Sequence, residues 1–253
     1  MRRVLVIVPF PMGPDHLANR EAQLRAVELG PGIAFEFHPV KAAPRNYVSA
    51  SDMALAEIGV LEAGLAAEAD GYDAVCIDTM SDSAVAALRS ELRIPVIGPG
   101  RASMLMALML GSRFSILAMW AHWRHLYTKT LGELGLTQAC VSIRSIHQAP
   151  DNRGLLGDHH DQVVERLVEE GQRAVEEDGA EVLLLGSTTM HEAHAALAAR
   201  LPVPVINPGP LSYKMAELAL GLRLSHSRAA YPASPAPQHE VVQAMVDAAR
   251  RGV

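Results

Sequence analysis

The 253-residue chain is 49% hydrophobic and 20% charged, with a formal net charge of −6 and a pI near 6.0. That length allows one large domain or two small ones with a well-buried core, and the acidic balance excludes the basic face that a nucleic-acid binder needs. Aromatic residues make up only 4% of the chain, so the core is expected to be aliphatic.

Short β-branched runs alternate with longer amphipathic ones, the pattern of a parallel sheet covered by helices. Strands are predicted near 3–8, 33–39, 73–78, 94–97, 113–118, 139–146, 181–185 and 203–206. Helices fill the gaps, near 15–28, 52–69, 82–92, 101–110, 122–134, 158–178, 189–200 and 210–221. Asp52 and Asp82 stand where N-caps belong. Met104, Met106 and Met109 read as packing on a helix, and His159 and His160 as the polar start of another. Beyond about 223, Pro232, Pro235 and Pro237 mark a loose arm before a last helix near 238–250.

The first apolar run, VLVIVPF, is short and is broken by Pro9, which suits a buried strand rather than a signal peptide. The longest apolar stretch, MLMALML, is too short to span a bilayer. Cys76 and Cys140 lie inside apolar runs and are expected to be buried, reduced side chains. A cytoplasmic protein without membrane partners is the expectation.

An internal echo carries the most information. Asp70 to Met80 reads DGYDAVCIDTM, and Asp178 to Met190 reads DGAEVLLLGSTTM. Aligned on Gly71 and Gly179, Thr79 falls on Ser187. Further on, IPVIGPG ending at Gly100 answers VPVINPG ending at Gly209. Two matched blocks in the same order point to duplication. Ligands of open parallel sheets bind beyond the carboxyl ends of the strands, so two such halves would bring Thr79 and Ser187 face to face across a cleft.

These blocks, together with LGSRFSIL at 110–117 and Lys214 beyond the second proline motif, resemble the aspartate/glutamate/hydantoin racemase superfamily over roughly residues 1–221, and most of all its hydantoin racemase branch. The resemblance implies two pseudo-symmetric three-layer α/β/α subdomains, each with a short parallel sheet and the site between them. Residues 1–98 plus 208–253 would form one subdomain and 99–207 the other. It further implies a homo-oligomer that acts on a small carboxylate or cyclic amide without a metal or organic cofactor, through one cysteine after the third strand of each half. Those two positions are Thr79 and Ser187 here.

A free thiol has a pKa of about 8.5. An aliphatic hydroxyl is weaker by on the order of 5 units, roughly 7 kcal/mol at about 1.36 kcal/mol per unit. An unassisted Thr/Ser pair therefore cannot run two-base racemisation. The hydroxyls suit an oxyanion pocket that holds an enolate, with Thr79 and Ser81 on one side and Ser187, Thr188 and Thr189 on the other.

Trp120 falls where decarboxylase-like members carry a pocket tyrosine. The loop Pro9-Phe10-Pro11-Met12 replaces a polar ligand-gripping turn and makes that wall apolar. Tyr47 and Arg45 offer a phenol and a cation, and Met80 completes the expected substrate contacts. His122, after the fifth strand, has the right chemistry for a replacement base, with Asp78 and Glu192 as carboxylate alternatives. His191 and His194 lack the four-residue step that puts two histidines on one helix face for zinc. The leading expectation is a cofactor-independent isomerase or lyase working by enolate-type proton transfer. A decarboxylase or hydrolase and a non-catalytic small-carboxylate or amide binder stand beside it.

Overall fold

The computed structural model describes residues 1–149, 151, 156 and 160–250; His159 lies outside them. Among the described residues, eight strands form two parallel sheets. In the first, β1 (Arg2–Val8), β2 (Ile33–Pro39), β3 (Ala74–Ile77) and β4 (Val96–Ile97) run in the order β2-β1-β3-β4. In the second, β5 (Phe114–Ala118), β6 (Cys140–Ser145), β7 (Val182–Leu185) and β8 (Val205–Ile206) repeat that order as β6-β5-β7-β8. The third strand of each half, AVCI and VLLL, is buried along its whole length, as expected for a strand covered on both faces.

The helices are α1 (Pro14–Glu21), α2 (Ala50–Gly64), α3 (Val85–Glu91), α4 (Pro99–Leu110), α5 (Arg124–Leu134), α6 (His160–Glu176), α7 (His194–Arg200), α8 (Pro208–Leu222) and α9 (His239–Arg250). In α6, Val163, Val164, Leu167, Val168, Gly171 and Ala174 are buried. This is the 3.6-residue stripe of a helix lying on a sheet. After β4 the chain crosses so that α4 packs on β7, and after β8 it crosses back so that α8 packs on β3. Pro99 and Pro208 each open their helix, where a missing N–H costs nothing.

The echo in the sequence has a physical cause. Gly71 and Gly179 both take a left-handed φ, +78° and +70°, a conformation that glycine enters at little cost. Each turn is held in the same way, with Arg3 Nη1 donating to the Asp70 carbonyl at 2.8 Å and Arg113 Nη2 to the Asp178 carbonyl at 2.9 Å. Just beyond the third strands, the Asp78 amide donates to the Ile7 carbonyl and the Gly186 amide to the Leu117 carbonyl. Both halves therefore end their third strand at the same height.

Several local expectations need correction. The segment from 14 to 26 is an α-helix followed by a 3-10 turn (Ala22–Ala26), and α5 and α7 are each preceded by a 3-10 turn, Ala121–Trp123 and Thr188–Ala193. Asp52 is not an N-cap. Ser49 caps α2, and the Asp52 carboxylate returns to the Ser49 amide at 2.8 Å as the other half of a capping box. Asp82 does not cap its own helix either. It sits at φ +51°, and its carboxylate receives the Gly100 and Arg101 amides at 2.8 and 2.7 Å, capping α4 instead.

Met104 is buried, whereas Met109 is 79% exposed. The first part of the arm, from Ser225 to Tyr231, is pinned rather than loose. Ser225 Oγ donates to the Arg93 carbonyl at 2.6 Å, Arg228 to the Arg89 and Leu92 carbonyls, and Arg89 Nη1 to the Tyr231 hydroxyl at 2.9 Å. Cys76 is buried, Cys140 half-buried, and neither is in a disulfide. No helix among the described residues is long and apolar enough to cross a membrane.

Candidate active site

A cavity of ≈ 20 Å³ lies where the carboxyl ends of β3 and β7 meet. Thr79 and Ser187 both line it, with Asp78 and Met80 on the first side and Gly186, Thr188 and Thr189 on the second. Pro9, Phe10, Tyr47, Trp123, Leu126 and Arg20 close the remainder.

The two hydroxyls have matched local settings. Thr79 Oγ1 is 3.1 Å from Ser81 Oγ and accepts from the Ser81 amide at 3.5 Å. Ser187 Oγ is 2.8 Å from Thr189 Oγ1 and accepts from the Thr189 amide at 3.2 Å. Each thus closes a tight turn two residues long, a common role for Ser and Thr. That turn fixes the hydroxyl at the cavity wall.

Between the halves runs a buried polar bridge. Arg20, on α1, is 1% exposed and donates from Nη1 to Asp78 Oδ2 at 3.0 Å and to Thr188 Oγ1 at 3.3 Å. Gln23 Nε2 donates to Asp78 Oδ1 at 3.1 Å, and Thr188 Oγ1 to the Asp78 carbonyl at the same distance. Burial pushes the Asp78 carboxyl above its ordinary range, against the pull of Arg20 and the hydrogen bonds from Gln23 and Thr188. Of the described lining residues, Asp78 is the one carboxylate.

The apolar wall is built by aromatic packing. Phe10 stacks on Tyr47 with ring centroids 4.9 Å apart, and the Tyr47 hydroxyl donates to the Pro9 carbonyl at 2.9 Å. Burial raises the Tyr47 phenol well above its usual range, so it stays protonated. Trp123 Nε1 donates to Asn46 Oδ1 at 3.0 Å. The space they leave holds about one water, and Thr79 and Phe10 stay partly exposed beside it.

Four expected site residues, His122, Trp120, Ser81 and Arg45, are not in the cavity lining. His122 is exposed and rests edge-on against Trp120 with ring centroids 4.6 Å apart, and Trp120 lines a separate surface pocket with Arg124 and His147. The 3-10 turn at 121–123 is the reason: it aims Trp123 inward and His122 outward. Ser81 is buried behind Thr79 and does not line the cavity. Arg45 is exposed and absent from the lining. His191 is buried against the backbone of Asn19, while His194 Nε2 pairs with the Val205 carbonyl at 2.9 Å, so the two rings serve separate neighbours.

The sequence reading missed Arg20, Leu126 and Gly186, which line the cavity. Gly186 carried a readable signal. It aligns with Asp78 in the echo, and a Cβ there would meet the Tyr127 hydroxyl at 2.6 Å and the Leu117 carbonyl at 2.8 Å.

Two like α/β units whose third strands end on one cavity place it where parallel sheets bind small ligands. The family described as Asp/Glu/Hydantoin racemase matches residues 15–216, and the chain belongs to it. It is 32% identical over 184 residues, 72% of each chain, to a hydantoin racemase of Pseudomonas sp. (strain NS671). An allantoin racemase from Klebsiella pneumoniae superposes with a TM-score of 0.84 at 29% identity, covering 96% of this chain and 99% of that one. Arylmalonate decarboxylase, at 20% identity and a TM-score of 0.59 over 94% of this chain and 96% of its own, shares the fold.

Proposed function

We propose that this protein is a cofactor-independent, isomerase-like enzyme that stabilises an enolate next to a carboxylate or cyclic amide carbonyl, with hydroxyls in place of thiols. Residues 1–98 with 208–253, and 99–207, are its two units. The observation that carries the reading is the shared cavity with Thr79 and Ser187 at matched strand ends. Hydroxyl donors fixed before the reaction begins stabilise developing negative charge without reorganising.

The relatives named as hydantoin and allantoin racemases supply the substrate class. A cyclic amide offers a carbonyl oxygen for the hydroxyls and an adjacent acidic carbon. Asp78 is the candidate base by position, in place of His122. Its engagement by Arg20 and Gln23 favours a second reading, a binder of small amides or carboxylates that keeps the cleft without turnover.

Exposed Leu105, Met109 and Leu110 on α4 and Leu218 and Leu222 on α8 support a homo-oligomer, which sedimentation velocity would detect; a cytoplasmic location belongs to the same proposal. Deuterium incorporation at the α-carbon, followed by NMR over hydantoins, amino acids and malonates in D₂O, separates the readings. Exchange without net conversion supports the isomerase. Net product without exchange indicates a decarboxylase or hydrolase, and saturable binding with neither indicates the binder.

A further inference from the structure

The two halves differ in what their first strand leads into. Ile7 on β1 is in register with Ile77, and Leu117 on β5 with Leu185, so Phe10 and Trp120, each three residues further on, are counterparts. Phe10 walls the central cavity. Trp120 does not. The 3-10 turn at Ala121–Trp123 gives that cavity Trp123 instead, and Trp120 lines a separate pocket of ≈ 330 Å³. Ala118 and Ser145, the last residues of β5 and β6, belong to its wall, so it sits at the strand ends where parallel sheets hold ligands. Its volume is that of a small-molecule site, roughly 300–1,000 Å³.

The lining is basic around apolar groups. Ala118, Ala121 and Ile143 accompany the half-buried Trp120, whose ring His122 meets edge-on. Arg124, Arg144 and Arg173 share the wall with one carboxylate, Glu170, and with His147. Arg144 is fully engaged, with Nε donating to Asp178 Oδ2 at 2.6 Å, Nη2 to Glu177 Oε2 at 2.7 Å and Nη1 to Glu170 Oε2 at 3.3 Å. The other Glu170 oxygen accepts from Arg173 Nη1 at 2.9 Å. Arg124 differs. It is exposed, donates from Nη1 to the Ile143 carbonyl at 3.3 Å, and forms no ion pair among the described residues.

We propose that this pocket is a second binding site, separate from the central cavity, for a small aromatic carboxylate. The Trp120 indole offers an apolar face on which an aromatic ring packs in offset or edge-to-face geometry. Arg124 supplies a planar fork that matches both oxygens of a carboxylate. One guanidinium without a carboxylate partner suits a ligand with a single negative charge. Glu170 does not oppose it, because arginines already hold both of its oxygens. A neutral amide of the same shape keeps the ring contact and loses the charged fork. The site does not rest on the enolate reading, since it shares no residue with the lining of the central cavity.

Trp120 and Trp123 are the chain's two tryptophans, so Trp123→Phe leaves Trp120 as the sole reporter. Benzoate is expected to change its fluorescence saturably, and benzamide to bind about 10-fold more weakly or worse, the size of a lost charge-assisted hydrogen bond. Calorimetry on the unaltered chain should return the same benzoate affinity, which keeps the test standing if Trp123→Phe disturbs the turn. Arg124→Gln should weaken benzoate by about 10-fold or more and leave benzamide unchanged, at the parent's urea midpoint because the side chain is exposed. Arg124→Lys, which keeps the charge without the fork, should fall between. Ser187→Ala, in the central cavity, should leave benzoate affinity as it was. Equal affinity for benzoate and benzamide, or no saturable benzoate binding at all, would overturn the proposal. So would benzoate binding that survives Arg124→Gln and is lost in Ser187→Ala, which would put the anion in the central cavity.

Discussion

Arg20 and Asp78 form an ion pair with an Nη1–Oδ2 distance of 3.0 Å, and their side chains are 1% and 0% exposed. The same Arg20 nitrogen reaches Thr188 Oγ1 in the other half, so one guanidinium fastens the helix after the first loop to both strand ends of the site. Two charges taken this far out of water cost several kcal/mol each, and they persist because each is the other's solvent.

Breaking that pair from one side should be severe. Arg20→Met leaves a buried carboxylate without its cation, and Asp78→Leu leaves the reverse. Either is expected to lower stability by about 3–5 kcal/mol, read as a shift of the urea midpoint. The double change Arg20→Met with Asp78→Leu should recover much of the loss. A double variant as unstable as the sum of the singles would show that the pair is not acting as a unit.

Much of the fold was readable because of how parallel sheets bury their strands. AVCI and VLLL are apolar throughout, so the strand signal survives without alternation, and the paired Gly71 and Gly179 marked equivalent turns. Arg20 was not readable. In the polar run Asn19-Arg20-Glu21 it resembles any solvated helix charge, and its burial depends on a carboxylate 58 residues away. His122 was misplaced by one residue of phase, since no sequence pattern announced the 3-10 turn that presents Trp123 to the cavity. Ser81 was assigned to the right cluster on the wrong side of Thr79, because a turn hides the serine that closes it.

Thr79→Cys with Ser187→Cys should create or raise proton-transfer activity. A thiol at pKa about 8.5 is a few per cent thiolate at neutral pH, and the cavity already places both positions on one ligand. Enzyme-dependent deuterium exchange into a hydantoin probe is expected to rise by about 100-fold or more over the parent, the usual reach of a positioned acid–base group. A correctly folded double variant with no gain on any family substrate would count against the enolate site.

Phe10→Ala should loosen the door. Phe10 contributes a stacked ring at 4.9 Å from Tyr47 and part of the wall of a cavity too small for an organic ligand. Removing it should speed association of a hydantoin probe and speed its release more, as lost apolar contact of roughly 1–3 kcal/mol appears mainly in the off-rate. Stopped-flow fluorescence of Trp123 would follow both rates. Unchanged association would mean that the ligand arrives by another path.

The last prediction concerns acid. His191 is 8% exposed, and burial pushes its imidazole down to about 4. The folded protein therefore resists a proton that the unfolded chain accepts near 6.5. A depressed folded pKa gives stability that is complete above about 6.5 and is lost as pH falls toward 4, up to about 3 kcal/mol for a gap of roughly 2.5 units at about 1.36 kcal/mol each. His191→Phe keeps a ring of similar shape, cannot take the proton, and removes Nε2, a buried nitrogen with no hydrogen-bond partner. The stability difference between this variant and the parent, measured by urea denaturation from pH 7.5 to 4, should widen in the variant's favour below about 6.5. Asp78 and Asp82, whose carboxyls burial raises, push the other way: folded pKa values above the unfolded one add stability as pH falls. They do so in both proteins, so they cancel in the difference. A flat difference across that range would place the proton elsewhere and return His191 to the role of simple packing.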